Sequence, residues 1–136
     1  MNYYLAKSEP GTYSIDDLER DGHTTWDGVK NAQAVRAILA MKQGDRVFVY
    51  HSGGVSSIVG LAEVRSAGRP DPKDAKSAVA EFGFLRKLDP PTTLADVKGS
   101  KLFEDFALVR QSRLSTMAVP EKFVSWMRKR YSKLEV

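Results

Sequence analysis

Four short clusters carry side chains able to grip a flat, polar-edged molecule: Lys7-Ser8-Glu9-Pro10, Trp26-Asp27-Gly28-Val29-Lys30-Asn31-Ala32-Gln33-Ala34, Tyr50-His51-Ser52 and Arg110-Gln111-Ser112-Arg113-Leu114-Ser115. Each falls at the end of an expected element, where binding side chains concentrate. Trp26 stands beside a glycine loop, so its indole can be both exposed and oriented. A nucleobase taken out of its stack needs such an apolar face, and stacking on an aromatic ring is worth about 1–3 kcal/mol per base. Gly28 lets a ligand come close to the backbone. Asn31 and Gln33 each offer a donor and an acceptor suited to a base edge. The hydroxyls of Ser8, Ser52 and Ser112 can donate or accept, and the guanidinium groups of Arg110 and Arg113 suit a phosphate.

The same residues have plainer roles open to them. Trp26 fits a core as well as a pocket wall. Asn31 is a natural helix N-cap, and Gln33 in the following turn can be simple surface. Glu9 suits a turn hydrogen bond. Tyr50 can belong to the core with only its hydroxyl in a pocket. Arg113 can pair with a carboxylate to fix the last strand. His51, Ser52 and Glu9 raise a hydrolase alternative, in which a base must lie within about 2.6–3.2 Å of the nucleophile. Successive strand residues point to opposite faces, so His51 and Ser52 meet only in a turn. Ser52 has no Gly-x-Ser-x-Gly elbow around it, and there is no phosphate loop or dinucleotide fingerprint. His51 then reads as a hydrogen-bonding residue beside a pocket, or a satisfied buried histidine.

The elements that must position these clusters follow from local signals. Tyr3 to Lys7 reads as a strand ended by Glu9-Pro10-Gly11. Ser14 to Asp17 resembles a capping box for a short helix stopping near Gly22. Ala34, Val35, Ile38 and Leu39 recur at helical spacing between Asn31 and Met41. Arg46 to Tyr50 is a nearly continuous apolar strand, expected to be buried on both faces. Ser57 to Val64 returns after the His51-Ser52-Gly53-Gly54 turn, with Gly60 marking a bulge or a close backbone approach. Gly68 to Asp74 reads as a loop, and Val79 to Leu88 as a strand ended by Pro90-Pro91. Thr93 caps a short helix through Val97, a further turn covers Lys101 to Phe106, and Leu108 to Arg110 reads as extended. Pro120 starts a final helix. Phe123, Trp126, Met127 and Tyr131 lie on one side of it, and Arg128, Lys129 and Arg130 crowd its end as a solvated, dipole-matched terminus.

The 136 residues make one ordinary domain. No apolar run is long enough to span a bilayer, and the N-terminus lacks signal-peptide character, so a cytoplasmic, non-membrane protein is expected. Zero cysteines exclude disulfides, thiolate metal sites and cysteine nucleophiles, and two histidines make a zinc site built from protein ligands alone unpromising. No metal or cofactor is expected. The net charge is +4. It is unevenly spread: residues 1–68 carry a net −1 and residues 69–136 a net +5. Clustered cations suit a polyanion. The absence of strand–helix alternation argues against a Rossmann sheet and for an α+β fold whose strands curl into a small barrel.

Taken in order, the four clusters resemble the EVE domain family. Its pattern runs Lys-Ser-Glu-Pro, then Trp-Asp-Gly-Val-Arg-Asn-x-Gln-Ala, then Phe-x-Tyr-His-Ser, then Arg-Gln-Ser-Arg-Leu-Ser. The match spans Lys7 to Ser115. Lys30 stands where the family often has arginine, which keeps the charge but loses the planar fork. The resemblance implies a PUA-like mixed β-barrel with flanking helices, as in the PUA, ASCH and YTH domains. It also implies no catalysis, and recognition of a modified base, such as a modified cytosine, in an aromatic-lined pocket. Residue chemistry and resemblance together give a candidate ligand-binding set of Ser8, Glu9, Pro10, Trp26, Gly28, Val29, Asn31, Gln33, Tyr50, His51, Ser52, Arg110, Ser112 and Arg113. The expected partner is nucleic acid carrying a modified base, bound by a monomer. The alternatives are a general RNA-binding module, using Arg65, Arg69, Lys73 and the C-terminal arginines, and an enzyme or small-metabolite binder.

Overall fold

The computed structural model describes residues 1–136. Strand β1 (Tyr3–Ser8) is followed by helix α1 (Ile15–Asp21), strand β2 (His23–Trp26) and helix α2 (Ala32–Ala40). Strands β3 (Arg46–His51), β4 (Ser57–Asp71) and β5 (Asp74–Thr93) come next. Helices α3 (Leu94–Ser100) and α4 (Ala107–Arg110), strand β6 (Thr116–Ala118) and helix α5 (Glu121–Arg130) complete the chain. The architecture is α+β. Its one six-stranded sheet has the order β2-β5-β4-β3-β1-β6. Only β1 and β3 pair in parallel, which the long connection through α1, β2 and α2 permits.

Local chemistry explains the helix starts. Ser14 Oγ accepts from Asp17 N–H at 3.1 Å, and the Asp17 carboxylate accepts from Ser14 N–H at 2.9 Å. Two free donors at the start of α1 are thereby satisfied. Thr93 and Asp96 repeat the device at α3. Gly22 closes α1 at φ 79°, a conformation that favours glycine. Val47 to Tyr50 are all buried, as their unbroken apolar run predicts. Phe48, Phe82 and Phe123 are fully enclosed, each worth about 1.5–3 kcal/mol of burial. Phe103 and Trp126 pack on Phe123 from the α3–α4 connection and α5, so Trp126 is a packing residue.

The sheet curls on itself. Helix α2 touches β4, β5 and β6, although β5 and β6 lie toward opposite ends of the hydrogen-bonded order. Register shifts along β4–β5, at Ile58/Gly60, Leu61/Ala62 and Val64/Ser66 among others, supply the bends. Gly60 sits at one of them. A Cβ there would lie 2.3 Å from Ile15 Cδ1, so α1 rests directly on this backbone.

Three expectations are corrected. Residues 68–74 are not a loop: β4 runs to Asp71 and β5 starts at Asp74, making a long hairpin with only Pro72 and Lys73 between. The prolines are tolerated because both are exposed near the tip, where little ladder pairing is lost. Pro90-Pro91 does not end β5, which bulges there and pairs again through Ile58↔Thr92 and Ser57↔Thr93. Leu108 to Arg110 is helical rather than extended, with Arg110 N–H bonded to Phe106 C=O at 3.0 Å, and the Lys101–Phe106 stretch is bends and turns. Strand β2 carries too little periodicity to stand out in the sequence, being four residues long after a helix-ending glycine. No helix is long and apolar enough to cross a membrane.

Candidate functional site

Two recesses meet at Lys7. The larger is a cleft of about 330 Å³ lined by Lys7, Ser8, Thr12, Tyr13, Thr24, Thr25, Trp26 and Asp27. That volume is at the lower end of the roughly 300–1,000 Å³ typical of small-ligand sites. Its walls come from the end of β1, the following turn, and β2. β1 and β2 are separated in the sheet by β3, β4 and β5. Only the curl of the sheet brings them together.

Trp26 ends β2, paired with Ala80 of β5. Its indole lies on Phe82 with ring centroids 5.1 Å apart and planes 29° from parallel. The ring is half-buried. The stack fixes its orientation, and the cleft lies beside it. The rest of the lining is mostly polar. Tyr13 OH donates to Asp21 Oδ2 at 2.9 Å, and burial holds its phenol above the ordinary range. Ser8 Oγ donates to Tyr13 C=O at 2.7 Å, which leaves its lone pairs for a ligand. Asp27 places a carboxylate on the rim, suited to accept from an exocyclic amine of a base.

The smaller recess, about 140 Å³, is lined by Lys7, Tyr50, Ser52, Ser56, Leu94, Lys98, Leu108, Val109 and Ser112. Lys7 Nζ donates to Ser112 C=O at 3.1 Å and stands 5.4 Å above the Tyr50 ring. Burial lowers the pKa of Lys7 and raises that of the Tyr50 phenol, both by disfavouring the charged form.

Of the predicted set, Ser8 and Trp26 line the cleft, and Tyr50, Ser52 and Ser112 line the recess. The remaining residues line neither. Asn31 caps α2, its Oδ1 accepting from Gln33 N–H at 2.8 Å and Ala34 N–H at 3.2 Å. Gln33 is exposed in the first turn. Gly28 is exposed at φ 75°. Val29 is buried, and its C=O accepts from Ser77 Oγ. Glu9 and Pro10 are exposed; the Glu9 C=O accepts from the N–H groups of Thr12 and Tyr13 at 2.9 Å, forming the turn. Arg110 Nη1 pairs with Asp105 at 3.0 Å on the surface. Arg113 is exposed and forms no ion pair. His51 Nε2 accepts from Ile15 N–H at 3.0 Å, which sets the proton on Nδ1 and ties β3 to the start of α1. Burial lowers its pKa, opposed by Asp16.

Sequence reasoning missed Lys7, Thr12, Tyr13, Thr24, Thr25 and Asp27 in the cleft, and Ser56, Leu94, Lys98, Leu108 and Val109 in the recess. Lys7 and Asp27 sat inside the quoted clusters. The β-branched pair Thr24-Thr25 before Trp26 was the available strand signal. Nothing local marks Thr12 and Tyr13.

The EVE domain family model matches residues 2–130. Mouse thymocyte nuclear protein 1 is 33% identical over 118 residues, covering 77% of this chain and 52% of that protein. The chain thus spans about half the length of the curated relatives it matches. Among solved structures, the NMR structure of a Rhodopseudomonas palustris protein superposes with a TM-score of 0.90 at 36% identity, covering 100% of this chain and 97% of the other. The human THYN1 protein, crystallised in complex with 5-methylcytosine-containing DNA, shares the fold at a TM-score of 0.87 and 24% identity, covering 99% and 100%. The PUA-like fold, the four ordered motifs and the family match over residues 2–130 agree: the chain belongs to the EVE domain family.

Proposed function

We infer that this protein is a non-catalytic module that holds a modified base of nucleic acid, a modified cytosine or one like it, in the cleft beside Trp26. The observation that carries this reading is the half-buried indole, fixed on Phe82 and walling a cleft of about 330 Å³. An oriented aromatic face with hydroxyl, carboxylate and ammonium groups around it is what an unstacked base requires. The human THYN1 complex with 5-methylcytosine-containing DNA supports the same ligand class. The net +5 carried by residues 69–136 suits the phosphate backbone.

A hydrolase reading has less support. The imine nitrogen of His51 is engaged by Ile15 N–H, so it has no free lone pair to take a proton from Ser52. The Ser52 hydroxyl is directed at Ser8 C=O, 3.4 Å away.

The test is fluorescence anisotropy with labelled oligonucleotides that differ only in one 5-methylcytosine. The wild type binds the methylated strand more tightly, and Trp26→Ala removes the preference. Equal wild-type affinity for both strands overturns the reading.

A further inference from the structure

We propose that the recess beyond Lys7 holds a phosphate of the same nucleotide whose base occupies the Trp26 cleft, so that the site takes a nucleotide rather than a free base. The proposal rests on the base-binding reading above and assigns the smaller recess a ligand.

The recess has the chemistry of a phosphate seat. Its lining includes two lysines, Lys7 and Lys98, and three serines, Ser52, Ser56 and Ser112, with no aspartate or glutamate. Lys7 spends one of its three donors on Ser112 C=O, leaving two. Neither lysine is in a salt bridge, whereas Arg20, Lys87, Arg110 and Arg130 all are. Partial burial makes a phosphate oxygen a stronger partner for Lys7 than bulk water allows, since charge pairs gain as the local dielectric falls. Lys7 also lines the cleft, so base and phosphate sites share one wall. Arg110, the more obvious cation from the motif, is already paired with Asp105.

The experiment is a two-dimensional NMR titration of the full chain with four probes: 5-methyl-2′-deoxycytidine, its 3′-monophosphate, its 5′-monophosphate, and inorganic phosphate. The two tryptophan indole N–H signals report separately, with Trp126 as the internal control. The nucleoside shifts the Trp26 indole signal. At least one monophosphate shifts it too, adds shifts at the Ser52, Lys98 and Ser112 amides, and binds about tenfold more tightly, the gain expected for charge-assisted hydrogen bonds. Lys98→Ala, an exposed position that leaves the fold intact, removes the gain. If the nucleoside moves Trp26 but neither monophosphate adds affinity, the phosphate seat is overturned and the base reading stands. If inorganic phosphate moves the recess amides while no probe moves Trp26, the base reading fails and, with it, the nucleotide proposal; only an anion site is left. If Lys98→Ala keeps the full gain, the phosphate lies elsewhere and the proposal fails.

Discussion

The Nε2 atom of His51 accepts a hydrogen bond from the backbone N–H of Ile15, joining the end of β3 to the first turn of α1 at 3.0 Å. The bond needs the neutral imidazole, because only that form has a lone pair to give. Burial is the larger influence on this group and lowers its pKa; the nearby Asp16 acts in the opposite direction. In acid, therefore, the unfolded chain takes up a proton before the folded one does. The stabilisation is complete above the unfolded value of about 6.5 and is lost as pH falls below it toward the lowered native value. Thermal unfolding followed from pH 8 to pH 5 should show a falling midpoint. His51→Gln, whose amide oxygen can accept the same bond, should flatten that part of the profile. An unchanged acid slope in His51→Gln would place the titrating group elsewhere.

Trp26→Ala should separate binding from folding. The ring is half-buried, so its loss costs the stack on Phe82, about 0.5–1.5 kcal/mol beyond area, and leaves a folded protein. Affinity for a modified-base strand should fall by about 1–3 kcal/mol, and Trp26→Phe should recover most of it. Chemical denaturation beside the binding assay checks both halves.

Two glycines should respond differently to the same methyl group. At Gly68 a Cβ would lie 1.7 Å from Ile38 O, a backbone atom of α2. The helix must move, and Gly68→Ala should cost about 3 kcal/mol or more. At Gly83 a Cβ meets Arg65 Nε at 2.1 Å, but Arg65 is an exposed, flexible side chain. Gly83→Ala should cost less than about 1 kcal/mol. Urea midpoints of the two variants decide it.

Asn31→Ala should destabilise the protein by about 1 kcal/mol through loss of the α2 cap, while Asn31→Asp, which keeps the accepting oxygen, should be near wild type in denaturant. Urea midpoints of the two variants check this, and ligand affinity should not follow the cap, since Asn31 lines neither recess.

Much of the local structure was legible because it is written at short range. The Ser14/Asp17 and Thr93/Asp96 pairs are three residues apart, Asn31 precedes its helix directly, and the Val47–Tyr50 run states its own burial. The β2 strand was not legible, since its four residues are held by β5 more than fifty positions later. The hairpin through Gly68, Pro70 and Pro72 has the local signature of a loop, because turn-forming residues and a long, bulged ladder look alike without the partner strand.

The family, the α+β class, the helix caps and the placement of Trp26 at an element end all follow from the residues and their order. What that indole faces depends on the folded sheet. The cleft joins residues 7–13 to residues 24–27 because bulges in β4 and β5 curl the sheet until β1 and β2 approach. The folded sheet also turns His51 toward a helix terminus and puts Lys7 between two recesses. Such neighbours are fixed by long-range pairing and sheet curvature, and no local periodicity carries that information.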